Sequence, residues 1–134
     1  MAGAGPGWDS GGGKGKLTFH FATYQDNYDN VRECIRIIRE LHPAAPVILT
    51  VSPIAISKTR TDQGCVAANS ESKSILRAVA GQIVRDIASV HYFPSFEIFT
   101  YSEAARWLDG RHVTRPILDL ITSNFKAAFT TSLA

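Results

Sequence analysis

Apolar positions along the chain change period from block to block, and the periods predict alternating helices and strands. Leu17, Phe19 and Phe21 alternate with Thr18 and His20, the two-residue period of a short extended segment, with His20 pointing to solvent. Val31, Cys34, Ile35, Ile38 and Leu41 then recur at helical spacing. Asn27 or Asp29 is placed to cap that helix and Pro43 to stop it. Residues 47–51 form an apolar run rich in β-branched side chains, the pattern of a buried parallel strand. Ile75, Leu76, Val79, Ile83, Val84 and Ile87 mark one broad face of a second helix, opened by the polar stretch 68–74. His91, Tyr92 and Phe93 read as a short strand ended by Pro94. Thr114 and Pro116 open a last helix carrying Ile117, Leu120, Ile121 and Phe125. Alternation of this kind predicts an α/β fold with a short parallel sheet of two or three strands and helices on its faces.

Composition narrows the picture. A chain of 134 residues with 45% hydrophobic content can build one core but not two domains of ordinary size. Residues 1–16 hold seven glycines and two lysines with almost nothing to bury, so a disordered tail is expected there, followed by one folded unit over 17–130. A net charge of +2 gives no nucleic-acid footprint, and no apolar run approaches the ~20 residues of a membrane span. The first sixteen residues also lack the apolar core of a signal peptide. Cys34 and Cys65 have no metal-ligand spacing and suit a reducing compartment, so the expectation is a cytoplasmic protein with no metal and no cofactor. Cys34, on the apolar stripe of the first helix, is expected to pack. Cys65, after Gly64, is expected in a polar loop.

The sharpest chemical signal is Asp109-Gly110-Arg111-His112. A carboxylate three residues before an imidazole, on a turn leading into a helix, can fix the tautomer of the ring and free its other nitrogen to take a proton. The plainer alternative is an ordinary Asp-Gly turn. Other polar groups gather where ligands bind in parallel sheets, beyond the carboxyl ends of the strands. Ser52 reads as a strand-end hydrogen bonder rather than a nucleophile. Ser70 or Ser72 reads as a cap of the second helix, whose first N–H groups, near Asn69, favour an anion. Lys73 and Arg77 lie one turn apart and can hold a carboxylate or phosphate jointly, or simply face solvent. Ser95 and Glu97 follow the later strand, with Glu97 in reach of Arg77 or Arg111.

Four segments together resemble the GSCFA-domain family: Thr50-Val51-Ser52-Pro53; Ala68-Asn69-Ser70 with Ser72-Lys73-Ser74 and Leu76-Arg77; Tyr92-Phe93-Pro94-Ser95 with Glu97; and Asp109-Gly110-Arg111-His112-Val113. Order and spacing are similar over roughly residues 14–125. That family resembles the SGNH (GDSL-like) esterases. The resemblance therefore implies a flavodoxin-like three-layer sandwich and hydrolysis of a small ester substrate, with Asp109 and His112 in the catalytic Asp-x-x-His position.

The resemblance is to the C-terminal part of such a domain. The segment that gives the family its name, Gly-Ser-Cys-Phe-Ala, carries the nucleophile, and nothing in these 134 residues resembles it. Gly7-Trp8-Asp9-Ser10 lacks the apolar strand that must precede a nucleophile turn. A partial domain is expected, inactive alone, with a partner chain supplying the N-terminal half. Three functions stay open: an SGNH-like serine ester hydrolase completed by another segment, a non-catalytic remnant acting as an interaction module, and an anion-binding module built on residues 70–77.

Overall fold

A computed structural model describes residues 19–102 and 113–130. The glycine-rich tail, Leu17, Asp109 and His112 lie outside the described residues. The elements in order are α1 (Tyr24–Leu41), β1 (Val47–Leu49), α2 (Cys65–Asp86), β2 (Val90–Tyr92), α3 (Ser95–Tyr101) and α4 (Arg115–Phe129). The two strands pair in parallel, Val47 opposite Val90, Ile48 opposite His91 and Leu49 opposite Tyr92. The pairing runs on past both ends: Val47 N donates to Ser89 O at 3.1 Å and Phe93 N to Leu49 O at 2.8 Å. The fold is thus mixed, helix-rich with a short two-stranded parallel sheet, in line with the α/β reading.

Because side chains alternate across a strand, the two faces of the sheet bury different helices. Val47, Leu49 and Val90 point to one face, where they pack with Ile35 and Val31 of α1 and with Ile75, Val79 and Ile83 of α2. Ile83 has no exposed surface at all, and Val79 and Ile35 are nearly as buried. On the other face, His91 and Phe93 meet α4. The Phe93 ring lies edge-on to Phe125 at 5.1 Å and to Phe129 at 6.1 Å, and His91 is edge-on to Phe129 at 6.4 Å. Aromatic pairs favour such edge-on geometry because the positive ring edge meets a negative face.

Three boundaries differ from the sequence expectations, each for a local reason. First, α1 begins at Tyr24, with Thr23 as its N-cap in a complete capping box. Asp26 N donates to Thr23 Oγ1 at 3.2 Å, and Thr23 N donates to Asp26 Oδ2 at 2.8 Å. Asn27 is already inside the helix, and its amide donates backwards to Thr23 O at 2.7 Å. His20 stays exposed, with Nε2 3.1 Å from Asp26 Oδ2. Second, the buried stripe of α1 runs through Tyr28, Val31 and Ile35, which turns Cys34 outward. Cys34 is exposed, not packed, and Ile38 and Leu41 are exposed with it. Third, α2 begins at Cys65 rather than in the stretch 68–74. Gly64 is the N-cap in an extended conformation, and Ala68 N already donates to Gly64 O at 3.0 Å. Ala68 is completely buried, so the helix starts early enough to place it in the core. Serine and asparagine are favoured caps, but burial outweighs their local preference here.

The end of α1 before Pro43, the end of β2 before Pro94, and the α4 N-cap Thr114 with proline in the first turn agree with the sequence. The turn from α2 to β2 holds Ser89 in the left-handed region, φ 56°. Serine tolerates that region less well than glycine. Arg39 of α1 donates to Ala88 O in the same turn, tying it to the first helix.

The core makes a direct stability prediction. Ile83→Ala is expected to cost about 2–5 kcal/mol in urea unfolding, because the cavity lies where α1, α2 and both strands converge. Leu41→Ala, at a position 72% exposed, is the control and should change stability by less than about 0.5 kcal/mol.

Candidate functional site

The carboxyl ends of β1 and β2 are fastened to α3 by two hydroxyls. Ser95, buried at the start of α3, donates from Oγ to Val51 O at 3.0 Å. Its oxygen lies 2.5 Å from Thr50 Oγ1, and since its one proton is given to Val51, Thr50 is the donor in that pair. Ser95 is therefore turned into the protein. Ser52, next along, is exposed and accepts from Ile54 N at 3.3 Å, a local turn bond beyond the strand end.

Beside this tie, Tyr92, Arg77 and Glu97 form a closed triangle joining β2, α2 and α3. Arg77 Nε donates to Glu97 Oε1 at 2.5 Å, and Tyr92 Oη donates to Glu97 Oε2 at 2.8 Å. The Arg77 guanidinium also stacks on the Tyr92 ring, 4.1 Å from its centre. Glu97 thus reaches Arg77, one of the two arginines expected from sequence. Partial burial alone would raise the Glu97 carboxyl, but the Tyr92 and Arg77 hydrogen bonds outweigh it and hold it below the ordinary value. Tyr92 is pushed well above its own, first by burial and then by donating to Glu97.

Alongside the triangle, α2 and α3 border an open cleft of about 680 Å³. Asn69, Lys73 and Arg77 of α2 line it, as do Phe96 and Phe99 of α3. Pro53 and Ala55, from the long connection between β1 and α2, close one end. Asn69 fastens that connection by accepting from Ile56 N at 3.1 Å, and Gln63 donates to Glu71 at 3.0 Å. Lys73 is only 9% exposed, and no described residue forms a hydrogen bond or ion pair with it. Burial pushes its ammonium below the usual lysine value. Gly81, two turns further along α2, leaves room for the head of Arg77, which a Cβ would meet at 3.0 Å.

Of the sequence candidates, the cleft brings together Asn69, Lys73 and Arg77, while Ser52, Ser72, Ser95 and Glu97 do not line it. The helix-start anion site is corrected. Asn69 and Ser72 lie within α2, where their N–H groups are taken up by the helix, because α2 starts at Cys65. Nor are Lys73 and Arg77 a solvated pair: one is buried and the other is bonded to Glu97. The sequence reading ends the strand at Pro94 and assigns no helix to residues 95–101, so it contains no α3 wall. The signal was present in Phe96 and Phe99, three apart as on one helical face. Among the described residues, no group of three His, Cys, Asp or Glu is placed to hold a metal, and no helix is long and apolar enough to cross a membrane.

Taken together, a parallel-stranded α/β unit with polar groups at its strand ends and a cleft beside them defines the class of structure. Residues 9–125 match the family model of the GSCFA family, and the chain belongs to that family. No curated protein matches the chain, and no solved structure does.

Two substitutions test the site. Glu97→Gln is expected to cost about 1 kcal/mol at pH 7, through lost charge-assisted hydrogen bonds. The Glu97 carboxyl lies lower in the folded than in the unfolded chain, so its contribution is complete above pH 4.5 and is lost as pH falls through the folded value. Denaturant unfolding below pH 4.5 should show this loss in the parent and not in Glu97→Gln. Lys73→Met should stabilise the chain modestly at pH 7, because burial of the side chain partly desolvates an ammonium that has no partner among the described residues. The folded Lys73 releases its proton before the unfolded one, so parent stability relative to Lys73→Met should rise with pH toward 10.5.

Proposed function

We propose that this chain is the C-terminal portion of an SGNH-like serine ester hydrolase. The observation that carries the reading is the GSCFA match over residues 9–125. In chain order Asp109 and His112 connect α3, fastened to the strand ends by Ser95, to α4, capped by Thr114. In this reading the β1–α2–β2 unit is part of a flavodoxin-like three-layer sandwich. His112 takes the proton of a serine hydroxyl as that oxygen attacks the ester carbonyl. Asp109 holds the ring in the correct tautomer and stabilises the imidazolium. The same proton then passes to the leaving alkoxide as the acyl–oxygen bond breaks, and a water activated by His112 releases the acyl group as its acid. The serine comes from a Gly-Ser-Cys-Phe-Ala segment outside these 134 residues, in the same protein or in a partner chain. With Cys34 and Cys65 both free, the reducing cytoplasm is the setting we assign.

A second reading, a non-catalytic module that binds an anion, is favoured by one observation: Lys73 is largely buried beside a cleft and has no partner among the described residues.

The experiment is an assay against short-chain aryl esters. The chain alone is expected to give no turnover. Supplied with a segment carrying Gly-Ser-Cys-Phe-Ala, it should turn over ester, and His112→Ala should lower that rate by about 10²–10⁴-fold. Turnover by the chain alone that disappears in Ser52→Ala would make Ser52 the nucleophile and overturn the reading. Reconstituted turnover that is indifferent to His112→Ala would do the same.

A further inference from the structure

We infer that the cleft between α2 and α3 is a binding site for a small monocarboxylate with an apolar body, its carboxylate held by Lys73 and its body lying on Phe96 and Phe99. The inference does not depend on the hydrolase reading. It starts from the accounting of polar groups. Among the described residues, no fully enclosed side-chain nitrogen or oxygen lacks a hydrogen-bond partner. Lys73 forms no such bond, so its Nζ must be open to space, and the space it borders is the cleft. The rest of the side chain is buried. A long amphipathic side chain ordinarily carries its charge out to bulk water. Lys73, only 9% exposed, lines a cleft whose described lining is largely apolar.

The lining selects the charge and shape of the ligand. Among the described residues that line it there is no aspartate or glutamate to compete for Lys73. Of the other cations in the described lining, Arg77 has its charge paired with Glu97, and Arg85 has a neutral partner, donating to Gln82 Oε1 at 2.8 Å. Among the described residues Lys73 is then the cation of the lining without a hydrogen-bond partner, and beside a largely apolar wall a single carboxylate charge suits it better than a strongly hydrated phosphate dianion. Asn69 adds to this. Its carbonyl oxygen is taken by Ile56 N, so its amide N–H groups are the part left to donate. Lys73 and Asn69, one helical turn apart, are then both donors, and an acceptor-only carboxylate answers both. The rest of the lining is mainly apolar and aromatic, as in pockets for small organic ligands, which combine an apolar wall with a few polar anchors.

The probe is octanoate, titrated into the full chain by calorimetry beside octanol and inorganic phosphate. Octanoate should bind, octanol more weakly, and phosphate without measurable heat. Lys73→Met should fold and weaken octanoate by about tenfold or more, the value of one charge-assisted bond, while Lys73→Arg should retain part of the affinity. A second readout uses the parent protein alone. Acetylation of Lys73 by an amine-reactive ester, mapped by peptide mass spectrometry, should be slowed by octanoate and not by octanol. Equal octanoate affinity in parent and Lys73→Met, or octanol binding as well as octanoate, would overturn the carboxylate assignment. Phosphate binding as tightly as octanoate would overturn the monocarboxylate specificity. Unprotected acetylation of Lys73 in saturating octanoate would place the ligand elsewhere and overturn the site. None of these readouts requires ester turnover, so they are decided separately from the catalytic proposal.

Discussion

A parallel pair of strands cannot be closed by a tight turn, and that constraint organises the molecule. To bring Val47 beside Val90, the chain must leave one end of the sheet and return to the other, and α2 is the element that makes the journey. Once committed to that crossover, α2 has to bury a face against the strands. It does so through Val79 and Ile83, with Ile35 of α1 closing over them. The same helix then presents Asn69, Lys73 and Arg77 along a different face. Core and cleft are thus two sides of one crossover helix. The connections that leave the carboxyl ends of β1 and β2 lie in the usual place for ligands in sheets of this kind.

The sequence revealed the elements better than their edges. The apolar run at 47–51 and the triplet at 91–93 both yielded strands, and Thr114 with Pro116 marked the start of α4. These signals are local: a strand's hydrophobicity and a helix's first turn are written where they act. The start of α2 is not. It depends on Ala68 being wholly buried, a tertiary fact that a polar stretch rich in serine conceals. Cys34 illustrates the same limit. It shares helical spacing with Ile38 and Leu41, but the register that faces the sheet runs through Tyr28, Val31 and Ile35, and only packing decides between neighbouring stripes.

At the candidate site, pairwise reach was legible and burial was not. That a carboxylate just past a strand could meet Arg77 follows from spacing, and Glu97 does so. That Tyr92 would complete the triangle, and so occupy the arginine on both its edge and its face, follows only from three elements meeting. Lys73 shows how far exposure can depart from residue type. Lysine is seldom buried, and its place beside a cleft gave no sign in the pattern of the helix. Asp109 and His112 were the clearest motif and lie outside the described residues, so the case for them rests on family membership.

The connection between β1 and α2 has a consequence for how such a cleft can diversify. Residues 50–64 have no regular structure and touch α2 through side-chain bonds from Asn69 and Glu71, yet Pro53 and Ala55 within them form one wall of the cleft. Lengthening an irregular connection is inexpensive: doubling it costs about 0.6 kcal/mol of closure entropy. The opposite walls, by contrast, belong to helices whose other sides are packed. Insertions and deletions in this one segment can therefore widen, narrow or roof the cleft while the crossover helix and sheet stay as they are. Variation among relatives in which ligand the cleft accepts would be concentrated in the length of one loop.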